Sequence, residues 1–333
     1  MTQPNNVHMT FDTSLVDLNP NASFSTTESD PSDFGTANFT AKTPTIQQPS
    51  LFEDQSQETP KQSQTLSPNL PSPASKSSTP VQHIGTQQAY DQWATVYDSD
   101  GNMLQAIDDL ELAILLPQFL AQVQDSVTTP TISLLDLGCG TGRNTQKLLD
   151  FALAPNRRST VVGLDFSKGM LDLAAEKLCT YNDGRLRLEQ CDCFPTATNT
   201  SAPPFPSVVG LTPVNAVLST LVLEHVPLPS FFSTLSTLLL PGGLALVTNM
   251  HAEMGAKSQA GFVNKDGVKV RGESSAHTVR DTVDKATRAG FEVLGVKERE
   301  VGREDVESGM VGERGWKWVG VRVWYGVVLR KIV

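Results

Sequence analysis

At 333 residues, with 39% of them hydrophobic, the chain is long enough to bury a sizeable core. Its formal net charge of -10 opposes attraction to phosphate backbones, which needs lysines and arginines to neutralise many phosphates at once, so a nucleic-acid partner is disfavoured. No stretch approaches the roughly 20 apolar residues of a membrane span, which argues against a membrane protein. The four cysteines, Cys139, Cys179, Cys191 and Cys193, lack the paired spacings of a zinc site or a disulfide framework; they read as reduced thiols, and no metal is expected. The first residues, MTQPNNVHMTFDTSLVDLNP, contain neither a basic nor an apolar leader region, and Asp12 and Asp17 argue against a mitochondrial presequence. A cytoplasmic location is expected, with a nuclear one left open.

Residues 1–82 carry ten prolines, from Pro4 to Pro80, among Ser, Thr, Gln and Asn, with no Trp or Tyr. Such a chain buries too little apolar surface to offset its lost conformational entropy, so it reads as a disordered tail in front of a folded domain at 83–333. A sharper reading makes Phe11, Leu15, Leu18 and Phe24 a segment that orders on a protein partner.

From Ile84 the periodicity changes. GTQQAYDQWATVYD reads as a helix, and DDLELAILLPQFLAQV as a second amphipathic one that ends or kinks at Pro117. Short apolar, β-branched runs then follow at TISLLDLG, STVVGLD, GRLRLEQCD, NAVLSTL and GLALVTN. Helical stretches separate them: NTQKLLDFAL, KGMLDLAAEKL and LPSFFSTLSTLL. The chain closes with a helix at TVRDTVDKATRAG and strands at FEVLGVKEREV and WVGVRVWYGVVLRK. Alternating strand and helix means βαβ units, hence an α/β, doubly wound, Rossmann-like fold with N-terminal helices in front.

In such a sheet the first strand-to-helix turn faces the ligand crevice, and glycine lets the backbone come close to whatever lies there. In LLDLGCGTGRNT the glycines are Gly138, Gly140 and Gly142. A dinucleotide fingerprint, GxGxxG, would need a glycine where Arg143 stands. The pattern is instead GxGxG, preceded by the strand carboxylate Asp136, which suits a ligand bringing positive charge or amino groups.

DLGCGTG resembles the first motif of class I S-adenosylmethionine (SAM) dependent methyltransferases, and the likeness runs through the chain in order. VVGLDFSKGML resembles the second motif; it implies that Asp165 accepts from both ribose hydroxyls, with Phe166 beside it. LEQCDCF resembles the third, implying Asp192 on the adenine amino group and the Cys193 backbone on the ring edge. NAVLSTLVLEHV and LLLPGGLALVTN resemble the motifs of strands four and five. YDQWATVYD resembles the N-terminal helix of the small-molecule branch, whose aromatic residues close over the cofactor, here Tyr97 with Tyr90 and Trp93. The branch includes fungal secondary-metabolism methyltransferases. The family fold implied has seven strands in the order 3-2-1-4-5-7-6, the last inserted antiparallel. The cofactor implied is SAM, and the glycines would close on its methionine part.

Methyl transfer is an in-line displacement that works mainly by positioning in a dry pocket, and a general base is needed only if the nucleophile starts protonated. His251, at the end of strand five, and His225, just after strand four, are the candidate bases or substrate contacts; His225 reads as readily as part of the fold. His277 reads as helix-start decoration or a base. Glu224 reads as a surface ion pair or an amine-steering acid. Arg143, a cation in a helix's first turn, must reach elsewhere, to an acid or a cofactor carboxylate. After strand four the chain reads STLVLEHV, without an Asn/Asp-Pro-Pro-Tyr/Phe motif and with Glu224 as a lone acid, which disfavours base-amine and arginine methylation. A small-molecule acceptor methylated at O, N or S is therefore expected. The rival readings are a SAM-binding regulator that recruits partners through its tail, and a protein methyltransferase.

Overall fold

The computed structural model describes residues 81–195, 204–258, 261–263, 268–272 and 274–332. The expected tail, with its Ser/Thr-Pro pairs and the Phe11 to Phe24 segment, falls outside the described residues up to position 80. The expected boundary at 82/83 falls inside the first strand.

The elements run β1 (Val81–His83), α1 (Thr86–Trp93), α2 (Met103–Ser126), β2 (Thr131–Leu137), α3 (Arg143–Asp150), β3 (Arg158–Asp165), α4 (Lys168–Lys177) and β4 (Leu186–Gln190). They continue as β5 (Val214–Thr220), α5 (Leu228–Leu238), β6 (Leu239–Met250), α6 (Ala252–Lys257), β7 (Gly261–Val263), β8 (Lys269–Arg271), α7 (Val279–Arg288), β9 (Phe291–Glu300), α8 (Arg303–Glu307) and β10 (Arg322–Lys331). The large sheet has seven strands in the order β4-β3-β2-β5-β6-β10-β9. Counted within that sheet, this is 3-2-1-4-5-7-6, with β10 antiparallel to both β6 and β9 and the remaining pairs parallel.

Period-two burial places the core on both faces. In β2, Ile132 and Leu134 pack with Phe119, Leu120, Leu148 and Leu149, whereas Leu135 and Leu137 pack with Phe231, Phe232 and Leu235. In β6, Leu244 and Leu246 join the first set, and Ala245 and Val247 the second. Helices thus cover both sides, as parallel strands require. Of the end or kink expected at Pro117, the end does not occur: α2 runs through it. Proline leaves the Ala113 carbonyl without its usual helical donor, and both residues lie on the exposed side of the helix, where that loss costs least.

A second, three-stranded sheet, β1-β8-β7, has no counterpart in the sequence reading. Its Phe262 and Val270 pack with Ala89 and Trp93 of α1, and the Trp93 and Phe262 rings stack at 5.6 Å. Among the described residues no helix is long and apolar enough to cross a membrane.

Candidate active site

The strand order reverses direction between β2 and β5, and a crevice forms beyond the carboxyl ends of strands at such a point. A cavity of about 460 Å³ lies there, lined by the ends of β3 and β5, the turns after β2 and β4, and α1.

The glycine turn is built with left-handed backbone at Gly138, Gly140 and Gly142, φ 79°, 53° and 79°. The turn is held down by the Leu164 carbonyl, which accepts from the Gly138 and Cys139 amides at 2.8 and 3.0 Å. The three glycines answer to different neighbours. A Cβ at Gly138 would lie 2.3 Å from Val222 Cγ2, and one at Gly142 2.9 Å from Leu178 Cδ1, so protein fills those spaces. A Cβ at Gly140 meets nothing within 4 Å. Gly138 and Gly140 line the cavity; Gly142 instead seats the start of α3 against α4.

Asp165 ends β3 and faces the cavity. Its Oδ2 accepts from the Gly140 amide at 2.8 Å and its Oδ1 from the Ser167 amide at 2.9 Å, so each oxygen keeps acceptor capacity. Burial raises its pKa against the pull of those amides. Phe166, Asp192 and Cys193 line the same wall. Asp136 lies under the turn, outside the cavity. It is 1% exposed, takes the Thr145 hydroxyl on Oδ2 at 2.6 Å, and leaves Oδ1 without a hydrogen-bond partner. Burial pushes its pKa up to about 6.

On the α1 and β5 side stand Tyr90, Tyr97 and His225. His225 sits in the 3-10 turn Leu223–His225, and its Nε2 lies 2.8 Å from the Tyr90 hydroxyl, with the rings edge to face at 5.3 Å. Burial pushes both tyrosines above their ordinary pKa. Glu224 is no surface acid. It is 5% exposed, its Oε1 lies 3.6 Å from His225 Nε2, its Oε2 accepts from the Met250 amide, and burial pushes its pKa up to about 8. The acid is held inward because its own amide donates to Asn249 Oδ1 and its carbonyl accepts from Ser275.

His251 is not brought to the cavity. It caps α6, accepting from the Glu253 amide on Nδ1 at 3.0 Å, while Nε2 contacts Glu298 at 2.8 Å. His277 also lies outside; its Nε2 is 3.0 Å from the Val226 carbonyl. Arg143 does reach acids, Asp108 at 2.8 Å and Asp109 at 2.6 Å, and so pins α3 to α2 rather than facing the cavity. Among the described residues no group of three or more His, Cys, Asp or Glu could hold a metal ion.

Sequence reading missed the Tyr90–His225 contact and the burial of Glu224. The available signal was the helical spacing of Tyr90, Trp93 and Tyr97, which shows a shared face but not its partner.

Seven strands with an inserted antiparallel partner, and a cavity at the switch point under a glycine turn, define the class I methyltransferase build. The methyltransferase-domain family matches residues 135–245. A protein of Emericella nidulans described as an uncharacterized methyltransferase is 43% identical over 268 residues, 74% of this chain and 91% of that protein. The chain belongs to this family of SAM-dependent methyltransferases. Among solved structures, a SAM-dependent methyltransferase from Mesorhizobium loti aligns at 18% identity with a TM-score of 0.43, covering 63% of this chain and 96% of that one. A putative sarcosine dimethylglycine methyltransferase from Galdieria sulphuraria aligns at 14% identity with a TM-score of 0.44, covering 66% and 87%.

Proposed function

We propose that the chain methylates an O, N or S nucleophile of a small molecule, and that cofactor and acceptor share the cavity between the glycine turn and α1. The observation that carries this is the make-up of the cavity wall: acids and a glycine turn at the ends of β2, β3 and β4, and hydroxyl, amide and imidazole groups at α1 and the end of β5. Closed over by a helix, such a cavity suits a small acceptor better than a protein surface.

The residues present fit SAM. The turn at Gly138 and Gly140 would hold its methionine part. Asp165, with acceptor capacity left on both oxygens, would hold the ribose hydroxyls. Asp192 would take the adenine amino group, with Cys193 and Phe166 beside the ring. When bound, SAM supplies a methyl group on a cationic sulfur. The rings of Tyr90 and Tyr97 would offer that cation a favourable π-face, and with Phe194 and Val226 they give the cavity an apolar lining. His251, with both ring nitrogens engaged outside the cavity, serves the fold.

Isothermal titration of the full chain with S-adenosylhomocysteine, run beside Asp165→Ala, tests the reading. Micromolar binding by the parent and its loss in the variant are expected; a folded parent that does not bind overturns it.

A further inference from the structure

We infer that Tyr90 and His225 together form a proton path for the acceptor, and that the acceptor is an uncharged phenol. The inference rests on the cofactor reading above and adds the acceptor's chemistry to it.

Three observations on the same wall converge. The Tyr90 hydroxyl and His225 Nε2 are 2.8 Å apart, and both side chains line the cavity. The Glu224 carboxyl lies behind the imidazole, 3.6 Å from Nε2, and does not itself line the cavity. Among the described residues lining the cavity there is no lysine or arginine, and the acids there, Asp165 and Asp192, belong to the β3 and β4 ends.

Among the described lining residues a carboxylate or phosphate acceptor meets no cation. Among those at the α1 and β5 end there is likewise no carboxylate for an ammonium. What this end offers is a hydroxyl backed by an imidazole, which recognises a neutral group carrying a proton. Matching of acidity selects among such groups. A phenol near pKa 10 lies about 3 to 4 units above imidazole, a gap that general-base catalysis bridges, whereas an alkanol near the roughly 16 of water lies about 9 units above. The aromatic rings of Tyr90, Tyr97 and Phe194 on the walls suit a flat ring as well.

The step balances. The Tyr90 hydroxyl donates to Nε2, with the imidazole proton on Nδ1, and its oxygen accepts from the phenol. As the phenol oxygen bonds to the methyl carbon and the carbon–sulfur bond breaks, its proton passes to Tyr90 and that of Tyr90 to His225. The sulfonium charge is lost from sulfur and the resulting imidazolium is met by Glu224, whose ionisation it favours. Solvent later takes the proton.

The test uses the full chain with labelled SAM and four naphthalene compounds: 2-naphthol, 2-naphthalenethiol, 2-naphthylmethylamine, which is an ammonium at pH 8, and 2-naphthoate. The parent is expected to methylate 2-naphthol and not 2-naphthoate or 2-naphthylmethylamine. Tyr90→Phe should lower kcat on 2-naphthol about a hundredfold. The same variant should change the thiol rate less than about threefold, because that nucleophile is already ionised at pH 8. Raising pH toward the naphthol pKa should recover much of the loss. Titration of 2-naphthol into the S-adenosylhomocysteine complex should show affinity about fivefold weaker in Tyr90→Phe, with S-adenosylhomocysteine affinity unchanged. Equal losses on naphthol and thiol, an unchanged naphthol rate, or methylation of none of the four or of the amine or carboxylate alone would overturn the inference. A parent that fails to bind S-adenosylhomocysteine removes the cofactor reading beneath it, which separates the two failures.

Discussion

Gly138→Ala should be much more damaging than Gly140→Ala, although the two glycines sit two residues apart in one turn. Both have positive φ, 79° and 53°, and a left-handed alanine costs about 1–2 kcal/mol in either place. Only at Gly138 does the new methyl also collide, 2.3 Å from Val222 Cγ2 and 3.4 Å from its Cβ. Forcing a methyl into filled space costs a further 1–3 kcal/mol or so, giving roughly 2–5 kcal/mol for Gly138→Ala against about 1–2 for Gly140→Ala. Because Val222 lines the cavity, the displaced wall should also weaken S-adenosylhomocysteine binding. Urea unfolding at 25 °C with both variants, and with Val222→Ala alone and combined with Gly138→Ala, measures the terms. The combined variant should recover about 1–3 kcal/mol through the coupling of the two sites. Equal costs at the two glycines, or additive behaviour of Gly138→Ala and Val222→Ala, would refute the collision as the cause.

Breaking the pin between α2 and α3 should be costly: Asp108→Ala removes an acid that is 0% exposed and takes Arg143, Thr248 and Trp324, and a loss of about 3–5 kcal/mol is expected by urea unfolding. Glu224 has a folded pKa raised by burial from 4.5 to about 8, so its contribution is fully present below pH 4.5 and is lost as pH rises through 8. Accordingly Glu224→Gln should be more stable relative to the parent at pH 8.5 than at pH 5, and a flat difference between the two pH values would contradict the burial argument. His251→Ala should lower stability by about 1 kcal/mol, through loss of the α6 cap, while leaving S-adenosylhomocysteine affinity unchanged in the same titration.

The seven large-sheet strands were legible because most are runs of β-branched and apolar residues between turn residues, β4 showing instead the alternation LRLE, and the helices between them show the helical period. The order of the strands came from family likeness, not from periodicity. The small sheet was not legible: β1, β7 and β8 have three residues each, too few for a period-two pattern. Pro117 misled as a candidate helix end because a proline rule applied without knowing exposure cannot tell an exposed stretch of helix from a buried one. At the site, the glycine turn and the acids at strand ends lie within local motifs. Tyr90 and His225 are 135 residues apart, and nothing local in either segment announces the other. Glu224 looked like a surface acid because its burial depends on Asn249 and Ser275, which arrive from β6 and from the segment before α7.

The seam between the rest of the domain and α1, with the turn just after it, is polar and tied to the site. Gln87 donates to the Phe166 carbonyl, Asp91 accepts from the Ser167 hydroxyl and the Gly169 amide, and Asp98 accepts from the Thr141 hydroxyl. Those partners belong to the turns after β3 and β2 and to the start of α4, so the cover is stitched to the backbone beside the cavity. A substitution at Asp91 or Asp98 would therefore loosen the cover while leaving every cavity-lining side chain in place.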